Sequence, residues 1–195
     1  MTIISDAINK NKIIKRSQAK INDKIYTFSG IGYSKLGFMN IYKNLKLPKD
    51  ISALSKKQFL SPKIYTYYDL FKKIKLNSCM DVSDSLLSTL RSISSQSNKK
   101  IVLNNLLNIN KKLHGYSKND QYYNSLILSS GEEFVPVFSS PMDLLKFNNK
   151  ESFKRRGIKI TCIGHIEKGQ GVHLKNFNLN KVKIFDHFKN NYSVL

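Results

Sequence analysis

Apolar residues recur at close to helical spacing through much of the first two thirds of the chain. They predict a helix over residues 33–47, and Pro48 marks its end because proline disfavours helical backbone in the preceding residue. Ser52 can cap a second, shorter helix over residues 53–59. The first helix follows Gly30-Ile31-Gly32, so the pattern predicts a helix–turn–helix unit opened by two glycines.

The same spacing predicts three further helices, at residues 64–76, 85–93 and 99–113. Acidic and serine residues at 81–84 are typical of a helix start. The polar, serine-rich stretch 92–98 predicts a loop before the last of these helices.

The pattern changes in the last third. Residues 117–155 are polar with short apolar islands, whereas residues 157–164 and 181–185 alternate like strands. We therefore expect a mainly α protein, in which a small helical domain with a Gly-Ile-Gly helix-turn-helix opening precedes a less regular C-terminal extension with a short β element. The predicted division is 1–24 (basic N-terminal arm), 25–116 (helical domain) and 117–195 (extension, partly β).

Charge suggests the kind of partner. The 195 residues include 33 Lys+Arg against 13 Asp+Glu, a net charge of +20, with a pI near 9.9. A surface this basic suits a polyanion, most simply nucleic acid. The alternative is an interaction or scaffold protein whose lysines reflect a coding bias towards A/T-rich codons. No apolar run approaches the length of a transmembrane helix, so no membrane partner is expected.

The Gly-Ile-Gly turn is the candidate binding site. Two glycines permit a tight turn that brings backbone N–H groups together at a helix start, where the partial positive charge favours a phosphate. Ser34 and Lys35 can add a hydroxyl and an ammonium to the same oxygens. The alternative interpretation is an ordinary turn.

No catalytic constellation is evident. Glu132 and Glu133 are adjacent, so their side chains point apart on a strand and do not share a helix face. Cys79 and Cys162 are far apart and lack ligand-spaced histidines. There is no phosphate-loop, dinucleotide or metal motif. The sequence therefore predicts a non-enzymatic protein with no cofactor and no metal site.

Residues 25–60 carry a resemblance to a known family. Two stretches on either side of a predicted helix carry it, namely Ile25-Tyr26-Thr27-Phe28-Ser29-Gly30-Ile31-Gly32 and Ile51-Ser52-Ala53-Leu54-Ser55-Lys56-Lys57-Gln58. Together they resemble the small-subunit ribosomal protein S-thirteen family. The resemblance implies a structural constituent of the ribosomal small-subunit head that binds ribosomal RNA through its phosphates. Implied neighbours are ribosomal protein S-nineteen, a large-subunit bridge partner and the P-site transfer RNA.

Further expectations concern location and contacts. The codon bias, and an N-terminus unlike an imported precursor, predict a protein of the mitochondrial matrix that is ribosome-bound and encoded in the organelle. Two alternatives stay open: a helix–hairpin–helix DNA-binding module, and a small-subunit protein of the S-three type, resembled by Arg156-Gly157-Ile158-Lys159-Ile160. The residues predicted to contact RNA are turn or basic residues, namely Gly30, Ile31, Gly32, Ser34, Lys35, Lys12, Lys15, Arg16, Lys56, Lys57, Arg155 and Arg156.

Overall fold

Six short strands and several helices alternate along the chain in a computed structural model that describes residues 13–65, 74–104 and 106–184. In chain order the elements are β1 (Lys24–Phe28), α1 (Tyr33–Tyr42), α2 (Lys49–Leu60), β2 (Ser78–Asp81), α3 (Leu86–Ser97), β3 (Lys100–Leu103), α4 (Lys111–Tyr116), α5 (Asp120–Ser129), β4 (Pro136–Ser140), a 3-10 turn (Leu145–Asn149), α6 (Glu151–Arg155), β5 (Ile160–Glu167), β6 (Gly171–Leu174) and a second 3-10 turn (Leu179–Lys181).

The strands form one mixed sheet in the order β2-β4-β1-β5-β3-β6. Neighbouring strands are antiparallel except β3 and β6, which are parallel. β1 lies in the middle, so that Lys24 is opposite Ser140 of β4 on one side and His165 of β5 on the other. Strands from distant parts of the sequence therefore make up the centre of the fold.

The prediction of a mainly α protein is wrong. Residues 99–113, expected as one helix, contain β3 and only the beginning of α4. Ile101 and Leu103 are buried on one face of β3 and Val102 is half-buried on the other, as in a strand. So short an apolar run fits either period, and it becomes a strand because β5 and β6 supply hydrogen-bonding partners on both sides.

α1 and α2 form the predicted helical pair with shifted ends. α1 begins at Tyr33 as predicted but ends at Tyr42, while α2 already begins at Lys49. The Ser52 hydroxyl does not cap α2; it donates to the Asn40 side chain of α1 at 2.8 Å. The helices touch at Gly37, where a Cβ atom would overlap the Ser55 carbonyl oxygen.

α3 confirms the helix predicted at 85–93 and extends it to Ser97, so the loop predicted at 92–98 is wrong. Ser85 is the N-cap, and its hydroxyl accepts the Ser88 N–H at 3.0 Å. The apolar face of α3 is fully buried in the core. Serines near the helix end are accommodated because Ser94 donates to the Lys99 carbonyl at 2.6 Å.

The remaining expectations have mixed outcomes. The strand predicted at 157–164 is present as β5, shifted to Ile160–Glu167. The described part of 181–185 is not a strand. The helix predicted at 64–76 lies largely outside the described residues. α5 was not predicted. The predicted boundary at 116–117 falls between α4 and α5, although strands from both sides of it share the sheet; that division stays a prediction.

Candidate functional site

Two chain segments meet at the start of α1: the turn at 29–34, which follows β1, and the loop at 130–134, which precedes β4. Oε1 of Glu133 accepts hydrogen bonds from the Gly32 N–H at 2.6 Å, from the Ser34 N–H at 3.3 Å and from the Ser130 hydroxyl at 2.6 Å. The anion at this helix N-terminus is therefore a carboxylate of the protein itself.

Glu133 is buried, with 1% of its surface exposed. Desolvation raises its pKa from the ordinary 4.5 to about 7, although the hydrogen bonds from Ser130, Gly32 and Ser34 favour the charged form. Its charge consequently changes near neutral pH.

The start of α3 joins the same cluster through the backbone. The Leu86 N–H donates to the Ser130 carbonyl at 3.1 Å, and the Glu132 N–H donates to the Ser83 carbonyl at 2.5 Å. Gly131 lies so close to this segment that a Cβ atom would overlap the Asp84 carbonyl oxygen. Asp84 and Glu132, both exposed, thus stand on backbone segments in direct contact.

The loop at 130–134 has an unusual backbone. Glu132 and Phe134 have φ angles of 53° and 51°, in the left-handed region that side chains other than glycine rarely adopt. Each such residue costs about 1–3 kcal/mol and persists only where its surroundings impose it. The loop is therefore held in shape by its contacts rather than by local preference.

Lys35 lies in the first turn of α1, an unfavourable place for a cation because of the helix dipole. Burial lowers its pKa to about 8. Its ammonium donates to the Ser129 hydroxyl at 2.6 Å, and it forms no ion pair among the described residues. It is thus a partly buried cation that donates to an uncharged hydroxyl.

The structure brings the five predicted turn residues together but turns their N–H groups inwards. Gly32 and Ser34 donate to Glu133, and the Gly30 N–H donates to the Ile109 carbonyl at 2.8 Å. Ile31 is fully buried in the core. The interior carboxylate occupies the place predicted for a phosphate.

The other predicted contact residues are scattered. Those that are described lie in the N-terminal segment (Lys15, Arg16), on α2 (Lys56, Lys57) and at the end of α6 (Arg155, Arg156). Lys12 lies outside the described residues. Whether any of them binds a ligand stays a prediction.

Sequence reasoning missed the acidic part of the site. The sequence excludes Glu132 and Glu133 as a catalytic pair because adjacent side chains point apart, and the structure indeed exposes one and buries the other. No periodic pattern indicates which of the two is buried, because the loop at 130–134 is neither helix nor strand. The sequence indicates Asp84 only as part of a helix start.

The described residues contain no group of three or more His, Cys, Asp or Glu side chains that could hold a metal ion. No helix within the described ranges is long and apolar enough to cross a bilayer. Neither cysteine in the described part of the chain is disulfide-bonded.

Sequence comparison finds relatives of one kind. No family model matches the sequence. The chain is 32% identical over 178 residues to the thiamine-monophosphate kinase of Leptospira interrogans, covering 89% of this chain and 53% of the relative. It is 30% identical over 181 residues to that of Nitrosopumilus maritimus, covering 91% and 57%. The chain spans about half the length of the curated relatives it matches.

Solved structures of similar fold agree. The thiamine-monophosphate kinase of Stenotrophomonas maltophilia K279a superposes with a TM-score of 0.70 at 20% identity, over 86% of this chain and 54% of that one. AaThiL complexed with AMPPCP and TMP gives a TM-score of 0.65 at 22% identity, over 90% and 54%. The α/β fold described above is therefore shared with these kinases.

These findings overturn the ribosomal interpretation. The matches extend over about nine tenths of the chain and are to kinases, so the S-thirteen family, the S-three alternative and the DNA-binding module are unsupported. Ribosomal RNA, S-nineteen, the bridge partner and transfer RNA are not the partners indicated, and a non-enzymatic role is the wrong expectation. The mitochondrial location is likewise contradicted, since the relatives are bacterial and archaeal enzymes. In sequence and in fold, the chain is similar to thiamine-monophosphate kinases.

Proposed function

We propose that this chain is a thiamine-monophosphate kinase module, contributing to phosphoryl transfer from a nucleoside triphosphate to thiamine monophosphate. One observation carries the proposal: all five curated relatives are named as this kinase, and each match covers most of the chain. AaThiL, which is similar in fold, was solved with AMPPCP, an ATP analogue, and TMP. Because the relatives are about twice as long, the activity of the whole enzyme is part of the proposal.

The candidate site has groups suited to this chemistry. Phosphoryl transfer depends on positioning and on neutralising the charge of the phosphates, largely through bound Mg²⁺ and basic side chains. Mg²⁺ is usually held by one or two carboxylates, with phosphate oxygens and water completing its shell. Asp84 and Glu132 are exposed carboxylates on touching backbone segments, and they fit that role in kind and number.

Lys35 supports the same proposal from the opposite side of the loop. A partly buried ammonium that donates to an uncharged hydroxyl, that of Ser129, can neutralise an incoming phosphate without first breaking an ion pair. The start of α1 would not contribute directly, because its free N–H groups are directed to Glu133. The proposed phosphate contact is therefore the lysine side chain rather than the Gly-Ile-Gly backbone.

Calorimetry on the purified chain tests the proposal. Mg²⁺ with AMPPCP, and separately thiamine monophosphate, are titrated into the wild type, Asp84→Asn and the matched control Asp81→Asn. Asp81 is an exposed aspartate at the end of β2, so it loses the same charge outside the proposed site. Since a charge-assisted contact is worth about 1.5–3 kcal/mol, Asp84→Asn is expected to weaken Mg²⁺–AMPPCP binding about ten-fold or more.

Two outcomes would overturn this assignment. One is a wild-type chain that binds neither AMPPCP nor thiamine monophosphate. The other is an equal loss of affinity in Asp84→Asn and Asp81→Asn, which would mean that only net charge matters. Formation of thiamine diphosphate from ATP and thiamine monophosphate, measured in parallel, would support the full activity.

A further inference from the structure

The buried Glu133 carboxylate joins two segments that are far apart in the sequence. Gly32 and Ser34 belong to the start of α1, whereas Ser130 belongs to the loop before β4, and all three donate to the same oxygen. The Lys35 N–H extends this link, since it donates to the Ser130 hydroxyl at 3.4 Å. The contact is therefore a small hydrogen-bonded network rather than a single bond.

The loop is fixed from its other side by the backbone. The N–H groups of Glu133 and Phe134 donate to the Val82 carbonyl at 3.2 and 3.1 Å, next to the bond from Glu132 to Ser83. The loop thus lies between the β2–α3 connection and the start of α1. Its two left-handed residues directly flank Glu133 in sequence. Loss of the carboxylate would free one side of a loop whose backbone is already strained.

We propose that Glu133 is a positioning residue, whose carboxylate holds the loop at 130–134 against the start of α1 and so fixes Glu132 beside Asp84 for ligand binding. The ligand part of this proposal rests on the proposed kinase function. The clamp itself, the set of hydrogen bonds between Glu133 and α1, does not.

The clamp requires an acceptor oxygen at the end of the residue 133 side chain. A glutamine side chain keeps such an oxygen on a side chain of the same length, whereas an alanine side chain has none. The strength of the clamp can therefore be changed without changing the backbone of the loop.

Three variants separate positioning from mere packing. Glu133→Ala removes the acceptor, and Glu133→Gln keeps an acceptor oxygen but cannot ionise. Glu151→Gln makes the same change on the exposed surface of α6, where Glu151 pairs with Arg155. Each is titrated with Mg²⁺–AMPPCP at one fixed pH, and ¹H–¹⁵N spectra record the amide shifts of Gly32 and Ser34.

The Gly32 and Ser34 amides are expected to shift in Glu133→Ala, which removes their acceptor, and to stay near their wild-type positions in Glu133→Gln. Glu133→Ala is expected to lose about ten-fold in affinity. Glu133→Gln should recover most of that affinity, and Glu151→Gln should match the wild type.

The proposal is overturned if folded Glu133→Ala binds as tightly as the wild type, or if the two amides keep their wild-type shifts in that variant. Should Glu133→Ala fail to fold, the milder Ser130→Ala, which removes one donor to Glu133, decides the matter, and unchanged affinity and unchanged amide shifts in it would overturn the proposal. A wild type that binds neither ligand would refute the kinase function, whereas the amide shifts of the variants would still test the clamp.

Discussion

The turn before α1 contains two glycines that share a left-handed backbone conformation but have different neighbours. Gly30 and Gly32 have φ angles of 108° and 112°, which L side chains rarely adopt. A Cβ atom on Gly32 would lie 2.7 Å from Cδ1 of Leu113 and 3.0 Å from Cδ1 of Ile127, both fully buried. A Cβ atom on Gly30 would meet nothing within 4 Å.

The cost of an alanine at each position follows from these surroundings. Backbone strain should destabilise both variants by about 1–3 kcal/mol. Gly32→Ala adds overpacking, which typically costs about 1–3 kcal/mol. The overlapping atoms are the ends of flexible side chains, so the lower part of that range applies. Gly32→Ala should therefore be about 1–2 kcal/mol less stable than Gly30→Ala.

Urea unfolding followed by circular dichroism measures this difference directly. If the slope with urea is unchanged, the shift in midpoint reports stability alone. Gly32→Ala should also move the backbone N–H groups that donate to Glu133, and the Ser34 amide resonance should shift as a result. Equal losses in the two variants, or a larger loss in Gly30→Ala, would refute the packing argument and leave backbone strain as the whole effect.

Three other measurements test the packing and the buried charges. Gly37→Ala should lower the free energy of unfolding by about 2 kcal/mol or more, because its Cβ would overlap α2. Gly115→Ala in α4 has open space around its Cβ and should raise the free energy of unfolding by up to about 1 kcal/mol. Thermal melts of the two variants test this difference. Raising the pH from 4.5 to 7 should lower the free energy of unfolding by up to about 3 kcal/mol as Glu133 ionises, because its folded pKa exceeds its unfolded one, and Glu133→Gln should lack this loss in urea titrations. Burial lowers the folded pKa of Lys35 to about 8, so Lys35→Met should raise the free energy of unfolding at pH 7 by up to about 3 kcal/mol. The wild type should become more stable between about pH 8 and 10.5, and Lys35→Met should lack this increase. The same pH profile in both proteins would contradict the burial of the ammonium.

Local patterns predicted α1 and α3. The start of α1 at Tyr33 follows from the glycines and the helical spacing after them, and the buried face of α3 follows from its leucines. β3 could not be predicted in the same way. Its four residues become a strand because β5 and β6 pair with it, and those two strands lie about 60–70 residues further along the chain.

The partner of the Gly-Ile-Gly turn could not be predicted for a similar reason. The turn predicts N–H groups that bind a phosphate, and in the structure the N–H groups of Gly32 and Ser34 donate to Glu133, which is 101 residues from Gly32. The net charge of +20 predicts that the ligand is a polyanion. Net charge describes solubility and non-specific binding rather than fold or reaction, so it could not separate a ribosomal protein from an enzyme.

The central place of β1 in the sheet has a consequence for synthesis of the protein. β1 leaves the ribosome well before both of its neighbours, β4 and β5, which come much later in the chain. Until then its apolar Ile25, Tyr26 and Phe28 lack the strands that bury them, and both edges of β1 lack their native partners. Such long-range pairing slows folding and lengthens the time during which a nascent chain can aggregate. Chaperone demand should therefore fall sharply only once residue 167 has emerged.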